Sequence, residues 1–409
     1  MQITDAAGVP VRQPPERLAM LAVAVIAYVI ASWAWALMGP LAPILDEALG
    51  LTPVQQALAV SLTVVVGALG RVPVGALTDR FGGRVMFVVV AAATIVALLV
   101  LATAGTRSAV GLLAGAALLG IAGTMLTVSV PFVSAWFAGG SRGLALGAVG
   151  AGLCGNAIAG FTAVRLVDEY SLAAPFLVGA AMLAVFALVA GFAARNAPAL
   201  AASPAQGRGR FASALRLPVT RRAALWYAVG FASFATFTAA LPLYLVNTYQ
   251  VSAVRAGDVL GVVVIVSVLT RPLGGWLADR LEPARPLAVA LIAITVAATV
   301  QAFTPPLPVM LAATLPVLAV GLGVLQTTIM AQLAVAVPPP MIGLVIGLVS
   351  TAAGVAGFLA PLVMAISFTR TGGYGPALWL IAALNAVAAV NALINVRRSP
   401  LAGRARTLS

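Results

Sequence analysis

Two arginines sit where an arginine is costly. In "GRVPVGALTDRFGGR", Gly70 to Arg84, Arg71 lies inside an apolar run that begins near Val54, eight residues ahead of Asp79 in the pair Asp79-Arg80. In "TRPLGGWLADR", Thr270 to Arg280, Arg271 precedes Asp279 by the same eight residues. Eight residues of α-helix rise about 12 Å. If the runs span a bilayer, both guanidinium groups lie near its middle. An arginine there costs from about 2.5 to about 17 kcal/mol, depending on the method, so each demands a partner or a wet cavity. A buried acid is one candidate partner. The ten acids stand at 5, 16, 46, 47, 79, 168, 169, 258, 279 and 282, all in expected loops or helix ends. Snorkelling is another escape, and from mid-helix it reaches only part of the way. The remaining reading is an anion site. Guanidinium is planar, always charged, and offers a fork of donors that matches flat oxyanions. Two forks would clamp one small anion and reject cations. Sealed empty, the site would hold two charges in low dielectric. That favours closing around cargo, and hence exchange.

The elements that must position such a pair follow from composition. The chain has 409 residues, 62% hydrophobic and 8% charged. A water-soluble domain carries about 25% charged residues, so the pattern is that of an all-α membrane protein. A spanning helix needs about 20 mostly apolar residues. Twelve candidates lie near 18–39, 54–78, 84–104, 108–133, 142–165, 174–194, 223–248, 254–278, 286–304, 307–336, 341–367 and 374–396. Period-two alternation is missing, which argues against a β-barrel. The first run is too long for a signal-peptide core and holds Trp33 and Trp35, so a retained helix is expected. Core or lipid packing is the first reading of both tryptophans, ahead of cavity lining.

Charge sets the expected orientation. The net charge of +13 comes from arginine, and lysine and histidine do not occur. With both termini inside, arginines 12, 17, 80, 84, 142, 195, 208, 210, 216, 221, 222, 280, 285, 397, 398, 404 and 406 are cytoplasmic, and only 107, 165, 255 and 370 are outside. This positive-inside bias accounts for the basic balance without nucleic acid. The expected location is the inner or plasma membrane, multi-pass, with cytoplasmic termini.

The chain reads as two halves. Residues 1–195 and 223–409 each carry six spans, joined by a cytoplasmic linker at 196–222 rich in Pro, Ala and Arg. An offset of 200 residues pairs Arg71 with Arg271, Gly75 with Gly275, and Asp79-Arg80 with Asp279-Arg280. It also pairs "GLALG" (Gly143–Gly147) with "GLVIG" (Gly343–Gly347). Transporters are commonly built of such repeats, with the substrate at their interface near the midplane.

"GALTDRFGGR" and "GWLADRL" resemble the loop signatures of the major facilitator superfamily. Within it, the arginines of spans 2 and 8 are similar to those of the nitrate/nitrite porters. "VSAWFAGGSRGLALGAVGAG", "GLVIGLVSTAAGVAGFLAP" and "GFASFATF" add to that likeness. The resemblance implies twelve helices, alternating access and a functional monomer. It implies that Arg71 and Arg271 bind the anion and that Tyr227 donates its hydroxyl to it; an interfacial anchor is the other reading of Tyr227. Asn156 stands two or three residues beyond the family's Gly-Asn pair, as a binding residue or an interhelical hydrogen-bond partner. The family's aromatic plates in spans 4 and 10 are replaced by residues near Leu126 and Thr328. Asp79, Arg80, Asp279 and Arg280 are implied to tie the halves together at the cytoplasmic face.

The small-residue stripes Gly147, Gly150, Gly152, Gly155 and Gly343, Gly347, Gly354, Gly357 let backbones approach closely. Static packing and a moving contact surface are both open readings. No catalytic constellation appears, and a P-loop is excluded because it needs lysine. With one cysteine, Cys154, and no histidine, no metal or cofactor site is expected. Mid-membrane acids, the usual proton carriers, are missing. That favours antiport over proton symport, although a tyrosine or the substrate itself remains a proton route. The expected cargo is a small monovalent oxyanion, first nitrate and nitrite. A carboxylate carrier of the oxalate/formate or monocarboxylate kind, a non-transporting sensor and a drug exporter are the rivals, in that order.

Overall fold

The computed structural model describes residues 16–51, 53–137, 141–197, 210–239, 241–251 and 253–397. Residues 198–209 of the expected linker and arginines 12, 208, 398, 404 and 406 lie outside them. Within the described residues the regular structure is helical. Ten stretches are long and apolar enough to cross a membrane. One of these, Ser61–Gly105, is 45 residues long. At its centre Gly82 adopts φ 77° and ψ 161°, a non-helical elbow. It therefore folds as two arms. The helices at Pro218–Ala239 and Leu241–Tyr249 supply a further crossing. The arrangement accommodates the twelve expected spans.

They are labelled in chain order. α1 is Arg17–Ala36, continued after Leu37 by Met38–Leu49. α2 (53–81) and α3 (83–100) are the arms of Pro53–Val100. α4 runs from Ala109–Leu119 through a 3-10 turn into Met125–Trp136. α5 is Arg142–Ala151 and Cys154–Glu169, broken at Gly152–Leu153. α6 is Ala174–Ala193. α7 is Pro218–Ala239 with Leu241–Tyr249, and so starts before the expected residue 223. A short helix, Arg210–Arg216, precedes it within the expected linker. α8 is Ala253–Leu269 and Arg271–Arg280, interrupted at Thr270, with Pro272 in the first turn of the second piece. α9 is Ala284–Ala302, α10 is Leu315–Ala336, α11 is Ile342–Thr371 and α12 is Gly375–Arg397.

Large apolar side chains such as Phe192, Val185 and Val289 stay exposed on the outer faces. Lipid can cover them; water would not. The packing that matters for the site crosses between the two sets of six. α5 packs on the second piece of α8, and α11 packs on α2.

Glycine makes that crossing close. A Cβ on Gly147 would stand 2.6 Å from Pro272 Cα and 2.7 Å from the Arg271 carbonyl oxygen. One on Gly347 would press on the Arg71 carbonyl and stand 3.0 Å from Val72 Cα. Gly150 faces Arg271, and Gly354 faces Ala68 and Arg71. Farther along, the stripes turn to their own half. Gly152 and Gly155 lie against Tyr28 and Val29–Trp33 of α1, and Gly357 lies against Phe231 of α7. Each stripe thus serves a cross-half contact at one end and an internal one at the other.

Candidate functional site

Both embedded arginines line one small cavity of about 30 Å³. That is about the space two waters need. Tyr28, Ser32 and Trp35 of α1, Leu126 of α4, Leu153 of α5, Tyr227 and Phe231 of α7 and Gln326 of α10 share the lining. Trp35 is therefore a cavity residue, against the packing first read for it. Trp33 is buried and donates its Nε1 to Thr162 Oγ1 at 2.9 Å.

Arg271 is 3% exposed and is the only charged side chain among the buried residues described. Its Nη1 donates to the Gly150 carbonyl at 2.6 Å, and its Nη2 donates to Gln326 Oε1 at 2.7 Å. Arg71 is half-buried. Its Nη1 donates to the Ser350 carbonyl at 2.9 Å, and its Nε to the Gly123 carbonyl at 3.2 Å. Among the described residues no carboxylate pairs with either group. Each arginine is held instead by a carbonyl of the opposite half, and Gly150 and Ser350 are themselves 200 residues apart. The two charges are hydrogen-bonded though not neutralised.

The break in α5 explains one of these carbonyls. Gly150 lies in the last turn of Arg142–Ala151. The final carbonyls of a helix lack regular partners and carry partial negative charge. The Gly150 carbonyl accepts the Leu153 N–H at 3.3 Å and keeps a lone pair, with that partial charge, for the guanidinium. Leu153 lines the cavity and Asn156 does not. Three residues fall short of a full turn, so Asn156 lies to one side; its Oδ1 is buried without a hydrogen-bond partner among the described residues. Asn156 is not brought to the arginines, contrary to its reading as a binding residue. Tyr227 is brought there, 5% exposed and against Phe231. Thr328 is fully buried and bonds back to Val324 and Leu325 of its own helix, away from the lining.

The arginine-rich end is closed by two matched locks. Asp279 accepts the backbone N–H groups of Gly143 and Leu144 at 2.6 and 2.8 Å. Asp79 accepts those of Gly343 and Leu344 at 2.8 and 3.0 Å. Each carboxylate thus sits on a helix N-terminus of the other half, where unpaired N–H groups and the helix dipole favour negative charge. Arg80 and Arg280 are exposed and lie over their own neighbours, Phe81 at 5.1 Å and Trp276 at 4.6 Å. The cross-half arginine contact belongs to Arg142, whose Nη1 donates to the Ala334 carbonyl at 2.9 Å. Sequence reading missed Arg142, Gln326 and Phe231. The offset of 200 offered no signal for the first two, since their counterparts are Ile342 and Leu126.

Comparisons with known proteins agree with this architecture. A family model described as Major Facilitator Superfamily matches residues 24–361 and 233–407. A Mycobacterium tuberculosis protein named "Probable nitrate/nitrite transporter NarK2" is 37% identical over 341 residues, 83% of this chain and 86% of that one. A Bacillus subtilis protein named "Nitrite extrusion protein" is 29% identical, covering 83% and 85%. Among solved structures, the human organic anion transporter MFSD10 superposes with a TM-score of 0.79 at 18% identity, covering 93% of this chain and 100% of that one. The fold is the major facilitator architecture, a scaffold of transporters and not of enzymes. By the family match across most of its length, the chain belongs to the major facilitator superfamily.

Proposed function

We propose that this chain exchanges nitrate and nitrite across the cell membrane by alternating access, with Arg71 and Arg271 holding the anion. The observation that carries this reading is the pair of guanidinium groups, one from each half, lining a single cavity that no described carboxylate enters. The nitrate and nitrite names of the relatives support the choice of cargo. Tyr227 adds a hydroxyl to the lining and Phe231 an aromatic wall.

The carbonyl latches give a physical reason for exchange. Each arginine bonds across the interface to Gly150 or Ser350. These bonds hold the two halves to one another. An oxyanion offers full negative charge where a carbonyl offers a dipole, and bonds between two ions are the stronger ones. Cargo therefore displaces both latches and frees the halves to rock. The rocking bodies are residues 1–195 and 223–409, with 196–222 between them. The protein works as a monomer with both termini cytoplasmic, and the aspartate locks close the cytoplasmic side.

The test is flux into proteoliposomes. Labelled nitrate should enter vesicles loaded with nitrate or nitrite and stay out of empty ones. Formate and oxalate should compete poorly. Equal uptake into empty vesicles under a proton gradient would remove exchange. Strong competition by oxalate or formate would move the chain to the carboxylate carriers.

A further inference from the structure

We infer that Gln326 is a further anion-binding group of this site: its amide oxygen positions the Arg271 fork and its amide NH2 donates to the bound anion. The inference rests on the anion-exchange reading above. It starts from two orphaned donors. Gln326 is 5% exposed and lines the cavity. Its Oε1 accepts from Arg271 Nη2 at 2.7 Å. Arginine has donors only, so this bond fixes which end of the amide is which, and the NH2 points elsewhere. That NH2 has no hydrogen-bond partner among the described residues, and neither does Arg271 Nε. Buried donors without acceptors are costly and are normally satisfied. Two of them beside one cavity call for a guest with acceptors and nothing to donate. Nitrate and nitrite are such guests at neutral pH.

The choice of an amide has a second consequence. Gln326 adds donors without adding or cancelling charge. A carboxylate in its place would reach the same Arg271 nitrogen and form an ion pair. The site would then lose one of its two positive charges and gain an acceptor where the anion needs a donor. The matching position of the other half holds Leu126, also a lining residue. The amide is therefore one-sided, and it orients the anion toward the Arg271 side of the cavity.

The experiment measures nitrate and nitrite Kd in purified protein, alongside counterflow KM and kcat, for wild type, Gln326→Met and Gln326→Glu. Methionine keeps the length and loses the donor, so Kd and KM should rise about tenfold, the worth of one hydrogen bond to an ion, while kcat stays within about twofold. Glutamate should bind worse than methionine, about 100-fold below wild type, because it loses the donor and also pairs Arg271. A purely structural role would move Tm and kcat without that ranking. A measurement independent of variant folding is the isotopically labelled side-chain amide resonance of Gln326 in wild type, which should shift on nitrate titration with the same Kd. Saturable wild-type binding with an unchanged Kd in Gln326→Met, or no shift of the amide, overturns the role of Gln326 alone. No saturable nitrate or nitrite binding by wild type overturns both this role and the anion reading.

Discussion

The two arginines are sequence equivalents and structural unequals. Arg271 is sealed, bonded to a broken helix end and to an amide side chain. Arg71 is half-buried and bonded to carbonyls of Gly123 and of Ser350, the latter within the unbroken α11. The same contrast recurs at the locks. Both aspartates cap the opposing helix with two N–H bonds, and on the α5–α8 side Arg142 also donates to the Ala334 carbonyl. A repeated fold thus supplies a symmetric frame, and single side chains make one side of it tighter. The lesson is that the frame brings the charges together while the asymmetry decides which half grips.

That comparison can be broken at three points, in order of expected effect. Arg271→Lys should lower nitrate counterflow by about 100-fold, since a point charge cannot replace the two bonds of a fork. Arg71→Lys should cost about tenfold in the same assay, because a half-exposed group keeps some water. Equal losses would erase the distinction between the two sides, and near-normal flux in both would remove the arginines from the mechanism.

Next, Gly147→Ala and Gly347→Ala should weaken the closed end alike, because each new methyl would meet opposing backbone. Spin labels at Arg80→Cys and Arg280→Cys in a Cys154→Ser background should report a wider separation in both variants. Gly160→Ala, where nothing lies within 4 Å of an added Cβ, should leave the distances unchanged.

The smallest effect expected is that of Arg142→Ala. It removes one bond from one lock, so the open population at that end should rise about fivefold. The same spin-label pair reads it. A shift as large as that of Gly147→Ala would mean that the side chain, not the backbone approach, governs closure.

Much of this was legible in the residues. Helix spans follow from apolar run length, and the halves follow from the offset that aligns Arg71 with Arg271 and the two glycine stripes. The cross-half role of Asp79 and Asp279 follows the family resemblance. What was not legible depends on local rotation. Asn156 is off the lining because three residues past Leu153 fall short of a full turn, and run length does not register rotation. Gln326 escaped notice because a lone amide in an apolar helix has no spacing to declare it. Arg80 and Arg280 were credited with a tie that belongs to Arg142, because exposed arginines bend back over neighbouring rings.

The two carbonyls that receive the guanidinium groups carry one last consequence. They belong to the main chain at Gly150 and Ser350, and every codon encodes a carbonyl. Side-chain drift at either site leaves the acceptor in place, provided the new side chain fits. The cross-half clasp is thus a property of where the chain runs, inherited with the topology rather than with any letter of the alphabet.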